Sequence, residues 1–84
     1  MSLSKEIAGW LQSNPGPING DTDDAVWAEA VTRFVVARRW REALSLSDFM
    51  IHVNNCGYRP ETRTDHGTGK HYSTLALPEA SRGF

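Results

Sequence analysis

The sequence predicts an α+β fold in which three helices are followed by a C-terminal antiparallel β-hairpin. Apolar residues recur at the helical period through residues 21–43 and again through residues 44–55, each time after a capping residue. Beyond Tyr58 the pattern changes to short runs containing Thr and Tyr, set around the turn-prone stretch DHGTG at residues 65–69.

Residues 4–13 read as a short amphipathic helix. Ile7, Trp10 and Leu11 recur at i, i+3 and i+4, while Lys5, Glu6 and Gln12 stay polar. Ser2 or Ser4 can cap it, and Gly9 weakens its interior by about 1 kcal/mol relative to Ala. Residues 14–20 (NPGPING) read as a loop, because Pro15 and Pro17 remove donors and restrict their neighbours. Residues 21–43 carry the strongest helical signal, with Thr22, Asp23 and Asp24 supplying a cap and negative charge at its start. Val26, Trp27, Ala30, Val31, Phe34 and Ala37 fall on one face, with Trp40 and Leu44 at its edge. Arg33, Arg38, Arg39 and Arg41 gather near the other end, where cations suit the helix dipole. An unbroken helix would point Arg41 at the apolar face. Either the helix ends or bends near Trp40, or Arg41 reaches past the core toward a partner.

The third helix spans residues 44–55. Ser45 is its cap, with Asp48 where a capping box commonly has Glu, and Ser47 is a competing start. Leu46, Phe49, Met50 and Val53 form the inward face, and Gly57 can take the left-handed conformation after the last turn. Strands are expected at residues 58–64 and 70–77, and Pro60 marks the first as an edge strand or one that starts irregularly. Residues 79–84 read as a flexible tail, with Phe84 as its candidate anchor. At 84 residues the chain is expected to be one domain, residues 1–84, since two separate cores would each be marginal.

Composition narrows the function classes. Nine Lys and Arg against ten Asp and Glu give a net charge of −1, which excludes a broadly polybasic protein but permits one basic face. A single Cys excludes an intramolecular disulfide and suits a reducing, cytoplasmic setting. No run approaches the roughly 18 apolar residues of a membrane helix, so no membrane partner is expected. After a core is filled, a chain this short has few elements left to wall a deep cleft, and no motif isolates a nucleophile. The expectation is a protein that is not an enzyme. Residues 65–70 are too short for a P-loop and are followed by His71 rather than Ser or Thr. His52, Cys56, His66 and His71 have metal-ligand chemistry, but their spacing fits no zinc pattern. Neither a metal nor a cofactor is expected.

The order helix, helix, capped helix, then a hairpin with a Gly-containing tip resembles that of winged helix-turn-helix proteins over about residues 27–77. The resemblance is one of element order, without a specific sequence motif. It implies a winged-helix-like fold whose third helix lies in the major groove of duplex DNA while the hairpin wing contacts backbone or minor groove. Ser47, His52, Asn54 and Asn55 would then lie on or beside the recognition helix, and Arg59, Arg63, His66 and Lys70 in the wing. Asn can pair with adenine, and Arg or Lys with phosphate or guanine. The chain departs from the family in two places. Residues 14–20 offer almost no strand after the first helix, and the recognition helix carries Asp48 but no Arg or Lys. Positive charge would come from the wing and from Arg38, Arg39 and Arg41. With net charge near zero, real affinity would require a homodimer, a cognate sequence or a partner protein.

A regulatory or adaptor module that binds another protein is the rival from a different class. It would use Trp10, Trp40, Tyr58 or Phe84 as exposed anchors and the arginines as charge-assisted donors.

Overall fold

A computed structural model describes residues 2–77. The expected tail and its anchor Phe84 lie outside the described residues. Three helices, α1 (Leu3–Gln12), α2 (Asp23–Arg38) and α3 (Leu46–Asn55), combine with three strands, β1 (Asn19–Gly20), β2 (Arg59–Thr64) and β3 (His71–Ala76). The strands form one antiparallel sheet in the order β1-β3-β2. The fold is α+β, and among the described residues none of its helices is long and apolar enough to cross a membrane.

Each helix begins at a hydroxyl. Ser2 accepts from the Lys5 N–H at 3.4 Å, Thr22 from Ala25 at 3.2 Å, and Ser45 from Asp48 at 3.4 Å, each satisfying a donor that the first turn leaves free. Ser45 is therefore the cap of α3, and Ser47 lies inside the helix.

α2 stops at Arg38, short of the predicted end at residue 43. Arg39 takes the left-handed conformation (φ 53°, ψ 44°). Its N–H reaches the Val36 carbonyl at 3.4 Å and the Trp40 N–H reaches Val35 at 3.0 Å, so the last turn closes on itself. Trp40 then folds back onto Phe34, with ring centroids 5.7 Å apart. Arg41 is thereby released from the helix and lies exposed on the connection to α3.

β1 corrects the reading of residues 14–20 as loop alone. The Leu75 N–H donates to the Ile18 carbonyl at 3.0 Å, and Asn19 and Gly20 then pair with Thr74 and Ser73. Two residues carry no periodicity, so no alternation announces the strand. Gly20 is what lets it sit there. A Cβ at this position would come within 2.7 Å of the Ala25 Cβ and 2.9 Å of the Val26 nitrogen. Ser73, buried in β3, locks the same corner by donating to the Asp23 carboxylate at 2.8 Å.

The core is built around aromatic rings. Phe34 is fully buried and has ring centroids 5.6 Å from Trp10 and 5.6 Å from Phe49, in addition to Trp40. Trp27 meets Phe49 edge-on at 6.3 Å. Such pairs add about 0.5–1.5 kcal/mol each beyond the area they bury. Ile7, Leu11, Ile18, Val26, Ala30 and Val53 complete the buried cluster.

Phe34→Ala is expected to cost about 3–5 kcal/mol, a large part of the roughly 5–15 kcal/mol that holds a small domain folded. Chemical denaturation should show the loss directly; an unchanged midpoint would refute the assignment of Phe34 to the core. Arg39→Gly should have the opposite sign. Relieving a left-handed non-Gly residue gains about 1–2 kcal/mol, of which the extra freedom of Gly in the unfolded chain removes about 0.5–1 kcal/mol. Thermal unfolding should show a midpoint raised by a few degrees.

Candidate functional site

The sequence-derived candidates fall into three groups. The first is the outward face of α3. With Phe49 and Val53 turned inward and fully buried, helical geometry puts Ser47, Ile51, Asn54 and Asn55 on the opposite side, and all four are exposed. Asp48 borders them. His52 is half-buried on the flank of the helix rather than at the centre of this face. Ile51, which was not among the candidates, sits in the middle of it at 55% exposure.

The second group is the hairpin. Its register pairs Arg59 with Ala76, Glu61 with Thr74 and Arg63 with Tyr72, so Arg59, Glu61 and Arg63 share one face of the sheet. Arg63 is occupied there by Glu61, at 2.6 Å on the same strand. Thr62 and Ser73 lie on the other face, the one that reaches Asp23. Pro60 lies in β2, which pairs on one side alone and is an edge strand, as its missing N–H requires.

The turn between β2 and β3 uses most of its own donors. Asp65 N–H bonds the Lys70 carbonyl at 2.8 Å, Gly69 N–H the Asp65 carbonyl at 2.7 Å, Gly67 N–H the Asp65 carboxylate at 2.8 Å, and Lys70 N–H the Thr68 hydroxyl at 3.2 Å. Gly69 supplies the positive φ of 73°. With these amides engaged, the stretch is a self-contained turn rather than a cradle for phosphate. His66 and Lys70 extend from it, both exposed.

The third group is the arginine cluster, and it divides. Arg33 is tied to Glu29 at 2.6 Å and to the Pro17 carbonyl at 2.6 Å. Arg38 lies over α1, with its guanidinium 4.0 Å from the Glu6 carboxylate and close to where a Gly9 Cβ would stand. Arg39 and Arg41 remain exposed on the connection that leads into α3, and neither joins a salt bridge among the described residues. The structure therefore leaves Arg39 exposed at the end of α2 and Arg41 exposed on the connection that follows, with Arg38 against α1.

α3 and the β2–β3 hairpin are joined by three residues. Cys56 closes α3, Gly57 follows with φ 93°, and Tyr58 N–H bonds back to the Val53 carbonyl at 3.3 Å. This tight closure holds Asn54 and Asn55 within a few residues of Arg59. A Cβ on Gly57 would stand 3.0 Å from the Leu77 Cδ1, so the same glycine also admits the end of the hairpin.

Two anchors of the protein-interaction reading are not exposed. Trp10 is 2% and Trp40 9% accessible, because both serve the aromatic core; Tyr58 is half-buried. The Trp40 indole N–H is buried with no hydrogen-bond partner among the described residues. Among the described residues no three of His, Cys, Asp and Glu come together as a metal-binding group. Comparison of the chain with protein-family models, curated proteins and solved structures finds no match.

Gly57→Ala should destabilise the domain by about 1–2 kcal/mol, since the left-handed conformation then carries a Cβ. The check is a thermal unfolding midpoint lower by several degrees, with the effect absent if α3 ended in another way.

Proposed function

We propose that the protein is a small winged-helix regulator that contacts duplex DNA through α3 and the β2–β3 wing. The observation that carries this reading is β1. A short strand after the first helix is the feature of winged helix-turn-helix proteins that the sequence lacked on inspection, and here Asn19–Gly20 joins the hairpin to form the sheet. In this reading α3 enters the major groove with Ser47, Asn54 and Asn55 toward base edges. Arg39 and Arg41 on the connection that precedes it, and Arg59 and Lys70 in the hairpin, contact phosphates. Arg63 contributes less because Glu61 already neutralises it. With so few free cations, non-specific affinity is modest, and specific binding draws on a cognate sequence or a second copy.

A fluorescence titration with pooled duplexes at low and physiological salt tests the proposal. The wild type should bind with salt-dependent affinity. Arg59→Ala combined with Lys70→Ala should weaken binding across all sequences and make the salt slope shallower by up to about two units. An unchanged slope in a normally folded double variant would remove the hairpin from the interface. No salt-dependent binding by the wild type would remove the DNA reading.

One observation favours a protein partner as the second reading. Val36 on α2 is 72% exposed and borders a shallow apolar groove lined by Trp10, Pro15, Thr32 and Ala37. That groove, rather than the tryptophans as protruding anchors, would receive such a partner's side chain.

A further inference from the structure

Resting on the duplex-DNA reading, we propose that the outward face of α3 selects A·T base pairs in the major groove. The argument begins with what this face lacks. Between Leu46 and Asn55 there is no Arg or Lys, the side chains that pair with the O6 and N7 acceptors of guanine. What it offers instead is two exposed carboxamides, Asn54 and Asn55, beside an exposed aliphatic residue, Ile51. A carboxamide carries a donor and an acceptor on one plane, matching the N7 acceptor and N6 amino group of adenine. The thymine C5-methyl is the apolar group that a base pair presents in the major groove, and an aliphatic side chain is its natural contact.

The spacing brings these features together. Asn54 and Asn55 follow Ile51 at i+3 and i+4, which places their Cβ atoms about 5–6 Å from that of Ile51. Successive base pairs rise about 3.4 Å. Side chains so placed reach the same or neighbouring pairs, where a thymine methyl and an adenine edge lie side by side. Ser47 accommodates either kind of pair. Asp48 accepts from the amino group of adenine or of cytosine and so does not choose between them. A lone exposed Ile is ordinary on a protein surface; one flanked by two outward carboxamides on a face without cations has a chemistry of its own.

Four sets of labelled duplexes test this: A·T pairs alone, G·C pairs alone, inosine·cytosine pairs, and A·T pairs with deoxyuridine replacing thymidine. Inosine·cytosine resembles A·T in the minor groove but presents guanine's O6 and N7 in the major groove. The wild type should bind the A·T set about tenfold more tightly than the G·C and inosine·cytosine sets, the size of one good base contact. Loss of the thymine methyl should weaken binding about threefold to fourfold. Ile51→Ser should abolish the difference between thymidine and deoxyuridine, and Asn54→Ala with Asn55→Ala should narrow the preference for A·T over G·C. All three positions are exposed, so the variants should keep the wild-type melting curve.

Salt-dependent binding without preference between A·T and G·C would overturn the inference and leave the DNA reading standing. Equal binding of the A·T and inosine·cytosine sets would also overturn it, since selection would then come from the minor groove. No binding to any set would overturn both readings.

Discussion

Phe34 stands where three distant segments of the chain must meet: α1 through Trp10, the α2–α3 connection through Trp40, and α3 through Phe49. Because one ring faces all three, the tilt of α3 is set by the same packing that ends α2. The termination of α2 at Arg38, with Arg39 left-handed, is the local condition for this arrangement. It turns the chain so that Trp40 closes over Phe34 instead of continuing along the helix. Much of what reaches the surface follows. Arg41 becomes part of a connecting segment, and α3 keeps Phe49 and Val53 inward while its opposite face is left to solvent.

The sheet is fastened to this helical core at one corner. Gly20 allows β1 to press against the start of α2, and Ser73 reaches the Asp23 carboxylate from β3. The hairpin projects from that corner, with β2 as its outer strand. Its orientation relative to α3 is constrained from two sides, by the corner and by Gly57 in the link. In the proposed DNA-binding reading, these two constraints replace any direct requirement for extensive packing between α3 and the wing.

Legibility in the sequence followed the length over which a pattern repeats. α1, α2 and α3 were readable because apolar residues recur over several turns and because Ser, Thr and Asp mark their starts. The hairpin was readable because DHGTG separates two strand-like runs. β1 was not, since two residues cannot show alternation; its one local clue was Gly20 immediately before the Asp-Thr-Asp cap. The end of α2 was only partly readable, because Arg39 is an unusual residue for a left-handed closure and the hydrophobic pattern continues through Trp40. Among the site residues, exposure of Ser47, Asn54 and Asn55 followed from helical phase. The division of the arginines did not. Arg38 finds the Glu6 carboxylate on another helix, a pairing that depends on packing that composition does not encode, whereas Arg63 pairs with Glu61 two residues away on its own strand.

Burial of Trp10, Trp27 and Trp40 in one aromatic cluster has a spectroscopic consequence. Every indole in the protein reports on the interior, and none lies on α3 or in the hairpin. Intrinsic emission therefore tracks the integrity of the core, shifting to longer wavelength when water reaches the rings. A molecule that occupies the outer face of α3 without disturbing Phe49 leaves that emission nearly silent. The protein thus carries a built-in reporter of its folded state that is separate in space from its candidate contact surface.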